Sequence, residues 1–203
     1  MNKIISAHRI GIFGGAFNPV HKGHVKVVES FLKCGLIEKL LLLPTPAPPH
    51  KKSKDLAGLG HRINMLNLVF KGNNKIEVSK LEADLPSPSY SLQTIRHLRK
   101  KYPDKKFFLC LGEDSLVDFE TWYKHEKILN LVPILAAERP GFDSNKVADQ
   151  ILENTIFVDH KPVDYSSSGY RKPGREDDSQ LPNVVLDYID KHNLYTHKDR
   201  YPE

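Results

Sequence analysis

Short apolar runs alternating with amphipathic segments predict an α/β fold: a doubly wound, mostly parallel sheet with helices on both faces, in a single domain over residues 1–203. Three observations carry that expectation. The apolar runs are brief and dense in Ile, Leu, Val and Phe, as strands buried on both faces require. The segments between them place apolar residues at helical spacing. The chain has 203 residues, 39% hydrophobic and 27% charged, which is enough to bury a core without disulfides or a structural metal.

In chain order, strands are expected at Ile10–Gly14, Lys39–Leu43, Lys75–Ser79, Lys106–Leu111, Val132–Ala136 and Thr155–Val158. Helical patterns fall at Val25–Leu32, Arg62–Phe70, Leu92–Tyr102, Trp122–Leu131, Val147–Leu152 and Asn183–His192. In the third, Leu92, Ile95, Leu98 and Tyr102 share one face. Pro44–Gly60 and Pro173–Leu181 read as loops, and no repeat or low-complexity linker divides the chain. Ligands of such a sheet bind beyond the carboxyl ends of its strands, where the strand order reverses.

Composition narrows the function classes. Cys34 and Cys110 form neither a metal spacing nor a disulfide framework, which fits a reducing compartment. The opening MNKIISAHRIGIF is no signal peptide and no stretch approaches a membrane span, so a cytoplasmic protein without membrane partners is expected. A net charge of +5 suits anionic small molecules. The basic run RHLRKKYPDKK, Arg96–Lys106, would suit nucleic acid, but 25 acidic residues are spread among 30 basic ones and no reading motif appears. We read it as a solvated helix face and expect no nucleic-acid partner.

The chemistry gathers in GIFGGAFNPVHKGHVKVVESFLK, Gly11–Lys33. Gly14 and Gly15 follow the first strand, an Asn-Pro turn comes next, and His21 and His24 open a helix at i and i+3, on one face. Glycines let a phosphate approach the backbone, and a helix N-terminus offers unpaired N–H groups. Gly23, inside the first turn, costs roughly 1 kcal/mol relative to Ala. The expected compensation is room for a flat base or a phosphate beside the histidines. Neither the dinucleotide GxGxxG nor the P-loop pattern is present. A histidine pair at this spacing can also chelate a metal, but no third ligand follows at a recognised spacing.

This stretch resembles the GxFxPxHxGH region of the nucleotidylyltransferase superfamily, and most closely that of the bacterial nicotinate-nucleotide adenylyltransferases. Further segments follow in the family's order: PPHKK at Pro48–Lys52, SYSLQT at Ser89–Thr94, GEDSLVDFETWYKHEKIL at Gly112–Leu129, ERPG at Glu138–Gly141 and SSSGYR at Ser166–Arg171. Four positions depart from the pattern. Ser91 and Ser168 stand where the family has Thr, Tyr170 replaces Ile, and Gly169 adds a helix breaker. The resemblance implies a Rossmann-like fold and transfer of an adenylyl group from ATP to nicotinate mononucleotide, with Mg²⁺ accompanying ATP. It implies ATP contacts at Gly14, Gly15, Ala16, Phe17, His21, Gly23, His24, Ser166, Ser167, Ser168 and Arg171. It implies acceptor contacts at Lys51, Ser91, Gly112, Asp114, Trp122, Tyr123 and Arg139. The part from about residue 166 onward would complete the ATP site.

The residue types suit that reaction. A phosphate monoester is already an anion near neutral pH, its second pKa being about 6, so no strong base is needed. The protein has to hold two polyanions in line and stabilise charge on the transferring and leaving oxygens. His21 is expected at the α/β region of the triphosphate, and His24 at the α-phosphate. Ser166, Ser167 and Ser168 would hold the β and γ phosphates, with Arg171 reaching them bidentately. Mg²⁺ would ride on the phosphates with its waters, not in a protein cage. Trp122 reads either as core or as the wall for a pyridine ring, and Asp114 either as an N-cap or as a ribose or pyridine contact. Amides near Trp122 and Tyr123 would hold the carboxylate of a nicotinate. Related acceptors, nicotinamide mononucleotide or phosphopantetheine, are the alternatives.

Overall fold

The computed structural model describes residues 7–46, 56–138, 143–161, 165–171 and 178–195. Six strands, β1 (Arg9–Gly15), β2 (Lys39–Pro44), β3 (Ile76–Val78), β4 (Lys106–Gly112), β5 (Ile134–Ala137) and β6 (Thr155–Val158), form one sheet in the order β3-β2-β1-β4-β5-β6. All five pairings are parallel, and Ile12 lies between Leu41 and Leu109. The order runs outward from β1 in both directions, so the reversal falls between β1 and β4.

The helices are α1 (Lys22–Lys33), α2 (Leu59–Val69), α3 (Ser91–Lys101), α4 (Glu113–Val117), α5 (His125–Leu129), α6 (Asp149–Glu153), α7 (Ser167–Tyr170) and α8 (Asn183–Lys191). Their apolar sides cover both faces of the sheet. In β2, Leu40 and Leu42 meet α1, α2 and α8 through Phe31, Met65 and Val185. Leu41 and Leu43 face the opposite core, which holds Leu92, Ile95 and Leu98 of α3 with Ile128 of α5. All four β2 leucines are fully buried, each contributing about 2 kcal/mol of apolar transfer energy. No helix among the described residues is long and apolar enough to cross a membrane.

One sequence expectation fails here. Trp122–Leu131 is not a continuous helix: a 3-10 turn at Asp118–Thr121 closes with Trp122 N donating to Phe119 O (3.0 Å), and α5 starts only at His125. Lys124, at φ 52°, takes the left-handed conformation between the two pieces. The apolar spacing survives because the turn and α5 pack on one core, through Phe119, Ile128 and Leu129. The short α4 went unread, since a helix of this length shows little periodicity.

Candidate active site

At the carboxyl ends of β1 and β4 opens a cavity of about 910 Å³. Gly14, Gly15 and Ala16 form one wall, Thr45 and Glu82 part of the floor, Tyr90, Ser91 and Thr94 another side, and Trp122 with Tyr123 the far side. The cavity therefore gathers residues from at least five chain segments at the strand-order reversal, where an open α/β sheet is expected to hold its ligand.

Beside this cavity, the head of α1 builds the histidine pair. His21, 8% exposed, is the N-cap, with extended backbone at φ −131° and ψ 170°. Its Nδ1 accepts the His24 N–H (3.4 Å), and Nδ1 of His24 accepts the His21 N–H (3.2 Å). This reciprocal arrangement is a capping box made of two imidazoles. The rings lie 3.7 Å apart, centroid to centroid, tilted by 36°. An Nδ1 that accepts cannot carry the ring proton, so each neutral imidazole bears it on Nε2. The pair thus presents two N–H donors at a helix N-terminus, a fixed arrangement for anionic oxygen.

Gly23 differs from its expectation. A Cβ there would stand 2.9 Å from both Cε1 and Nδ1 of His21, and 3.6 Å from the carbonyl of Tyr165. The space beside Gly23 is filled by the His21 ring, not held open for a base. The glycine serves the site indirectly, by letting His21 fold over the first turn and cap it.

The loop between β1 and α1 is locked from several sides. Asn18, 3% exposed, accepts on Oδ1 from Tyr195 Oη (2.7 Å) and Ala57 N (3.0 Å). Burial pushes the Tyr195 phenol well above its ordinary pKa, against the pull of nearby Arg171 and Arg62. Arg171 was expected to reach phosphates bidentately. Here its Nη1 donates to the backbone carbonyls of Asn18 and Ser167, tying the end of α7 to the turn before the histidines. Ser166 caps α7 by accepting from Gly169 N (2.9 Å), Ser167 donates to Pro19 O (2.9 Å), and Ser168 reaches Ser166 Oγ (3.4 Å). The serine segment therefore abuts the histidine loop, with the Ser167 hydroxyl engaged in holding that loop and the Ser166 hydroxyl in capping α7.

On the acceptor side, Trp122 is half-buried, packs on Phe119 (5.3 Å between centroids) and still lines the cavity. It is both core and wall. Its N–H is taken by Phe119 O, so only the Tyr123 and Lys124 amides of that segment lack a partner among the described residues. The exposed Tyr123 ring stacks on Tyr90 at 4.5 Å, and Lys124 Nζ lies 4.7 Å from the Tyr123 ring centre. Gly112 and Asp114 do not line the cavity; Ser115 and Asp118, one helical turn apart, do. The turn into α4 presents those two on the cavity side and swings Asp114 away. Lys51 and Arg139 lie outside the described residues.

Two residues in this region escaped the sequence reading. Glu82, 6% exposed, accepts from Thr94 Oγ1 (3.3 Å). Its Oε2 has no partner with hydrogen-bond geometry. Burial raises its carboxyl above the ordinary range, against the hydroxyls of Thr45 and Thr94, which lower it. Arg62 is 1% exposed and, among the described residues, donates to three backbone carbonyls. Nothing in EADLPSP or LGHRINML marks either as buried; a helical charge is ordinarily solvated.

Comparison with known proteins agrees with this geometry. Residues 12–173 match the cytidylyltransferase-like family, a span that starts in β1 and ends beyond α7. The chain belongs to the cytidylyltransferase-like family. It is 30% identical to the nicotinate-nucleotide adenylyltransferase of Bacillus subtilis, over 92% of this chain and 98% of that one. It is 33% identical to a protein of Thermomicrobium roseum named as a probable nicotinate-nucleotide adenylyltransferase, over 92% and 91%. Among solved structures, the nicotinic acid mononucleotide adenylyltransferase of Plasmodium falciparum complexed with NaAD superposes with a TM-score of 0.78. That match covers 92% of this chain and 97% of the other at 23% identity, a likeness of fold. As a cytidylyltransferase-like protein, the chain has its β1–α1 loop and histidine pair within the matched region.

Proposed function

We propose that this protein transfers the adenylyl group of ATP to nicotinate mononucleotide, forming deamido-NAD and pyrophosphate in NAD biosynthesis. The observation that carries the reading is the locked histidine pair, two Nε2–H donors at the head of α1, next to a cavity walled by Trp122 and the β1 glycines. A phosphate oxygen of the mononucleotide attacks the α-phosphorus, the α–β bridging bond breaks, and pyrophosphate leaves. No residue has to become a base for this. His24 stabilises charge on the α-phosphate, and His21 holds the α/β region. Because both rings are fixed by the capping box, little reorganisation is needed as charge develops.

The mononucleotide occupies the 910 Å³ cavity, with its pyridine ring against Trp122 and its carboxylate toward the amides of Tyr123 and Lys124. Ser91 and Ser115 offer hydroxyls beside it. Residues from Ser166 onward complete the ATP side, where Arg171 reinforces the loop and adds positive charge. Mg²⁺ takes hard oxygen donors, whereas the head of α1 offers N–H donors that complement phosphate. Mg²⁺ would be carried on the phosphates of ATP and would supply charge neutralisation there, while the chain's own N–H groups bind phosphate oxygens.

Pyrophosphate release with ATP and nicotinate mononucleotide, compared with nicotinamide mononucleotide and phosphopantetheine, tests the reading. The highest kcat/KM is expected with the nicotinate. No turnover with it, or a preference for phosphopantetheine, would overturn the assignment.

A further inference from the structure

The 3-10 turn Leu81–Asp84 carries two acidic residues with opposite fates. Asp84 is exposed, whereas Glu82 is 6% exposed and lines the cavity. Adenylyl transfer as read above needs no base, so it leaves this carboxyl without a task. A buried ionisable group that the chemistry does not use calls for another account.

Its surroundings are hydroxylic, not cationic. Thr94 Oγ1, from the first turn of α3, donates to Oε1 (3.3 Å), and Thr45, just past β2, supplies the second hydroxyl that acts on the group. Oε2 has no partner with hydrogen-bond geometry among the described residues. The titratable neighbours can be named element by element. Lys80 and Asp84 flank it on its own turn, and both are exposed. On α3, Arg96 is exposed and His97 half-buried. Arg62 of α2 donates to the Thr45 carbonyl (3.0 Å), and Tyr90, Asp118 and Tyr123 line other parts of the cavity. None of these charges shifts the carboxyl; burial and the two hydroxyls do.

An ionised carboxylate accepts at both oxygens, and leaving one of them buried and bare is costly. The acid form removes that cost, with Oε1 accepting from Thr94 and the proton on Oε2. Thr45, Glu82 and Thr94 all line the cavity, so the acid form also leaves this floor uncharged. That matters for an acceptor whose phosphate, carboxylate and pyridinium sum to a charge of about −2 near neutral pH.

We propose that Glu82 sets the affinity of the cavity for its anionic acceptor: as the neutral acid it joins Thr45 and Thr94 into an uncharged floor, and its ionisation weakens acceptor binding. This rests on the adenylyl-transfer reading above. Glu82 acts through the two threonines and through its charge, without touching the reacting atoms. Across a cavity of this volume, roughly 10 Å wide, like charges at an effective dielectric of about 20 change affinity by about tenfold. Linkage makes the effect reciprocal: a bound anion holds the proton on Glu82 to higher pH.

Two measurements test this. The KM for nicotinate mononucleotide is followed from about pH 5 to 9 in wild type and in Glu82→Gln, which keeps the shape of the acid form and cannot ionise. The substrate's own phosphate titrates identically in both, so the difference belongs to Glu82. Wild-type KM is expected to rise about tenfold more than that of the variant as pH increases, with the two kcat profiles parallel. In wild type labelled with ¹³C-glutamate, the midpoint of the Glu82 carboxyl resonance is expected to move to higher pH on addition of nicotinate mononucleotide. Superimposable KM profiles overturn the proposal, as does a midpoint that the mononucleotide leaves unmoved. Should Glu82→Gln fail to fold, the wild-type carboxyl titration decides alone. Failure of the adenylyl-transfer reading is distinct: wild type would give no pyrophosphate at any pH, whereas the carboxyl titration needs binding and no turnover.

Discussion

Gly23→Ala separates helix propensity from site geometry. By propensity alone the change stabilises α1 by roughly 1 kcal/mol. The structure reverses that sign. The new methyl would sit 2.9 Å from two atoms of the His21 ring, closer than side-chain carbons tolerate, and the carbonyl of Tyr165 at 3.6 Å limits escape on the other side. The ring has to move, and with it goes the Nδ1 that accepts the His24 N–H. Losing a cap costs about 1 kcal/mol, and the reciprocal bond from His21 N to His24 is strained with it, so about 2 kcal/mol is lost against the 1 gained. A net loss near 1 kcal/mol lowers Tm by about 2–4 °C in a chain of this size. The catalytic effect is larger, because a displaced His21 no longer aims Nε2–H at the phosphates; kcat is expected to fall by about a hundredfold. Thermal unfolding with and without ATP, together with pyrophosphate release on the same purified variant, measures both. A variant with raised Tm and unchanged kcat would refute the reasoning and return Gly23 to an ordinary helix position.

His24→Ala is expected to lower kcat by more than about tenfold with nicotinate mononucleotide binding largely kept, checked by steady-state kinetics and calorimetric titration of the mononucleotide. Arg171→Ala should raise the KM for ATP more than that for the mononucleotide and also lower Tm, because the side chain holds the Asn18 carbonyl; a mononucleotide KM that moves most would place this arginine on the other substrate. Burial raises the Glu82 pKa, so the protonated carboxyl favours the folded state. That contribution is full below the unfolded value of about 4.5 and is lost as pH rises through the folded pKa. Glu82→Gln should therefore raise Tm at pH 8 and give a smaller gain, or none, at pH 5, as thermal scans across that range will report. Trp122→Ala should raise the KM for nicotinate mononucleotide about tenfold by removing the aromatic wall, with little effect on the KM for ATP.

The sequence by itself determined the layers of this protein and the place of its histidine pair. Leu40–Leu43 is uniformly apolar, which only a strand buried on both faces permits, and that run sits next to β1 in a parallel sheet. GGAFNPVHKGH put two histidines at the head of a helix just past a strand, because glycine, an Asn-Pro turn and a capping position are all local devices whose meaning does not depend on distant residues. The order of the six quoted segments along the chain also agrees with the family that the relatives show. What only the tertiary structure decided were relations between segments far apart in the chain. Whether Trp122 is wall or core depends on Phe119 and on the cavity beyond it, and it is both. Whether Gly23 makes room for a ligand or for His21 depends on one ring's orientation, which the capping box fixes and the letters G and H do not. Arg62 and Glu82 look like solvated helix and turn charges. Both are buried, and burial is a property of the packed fold: here it goes with carbonyls and a hydroxyl brought from the ends of β1 and β2 and from α3, which no local periodicity records.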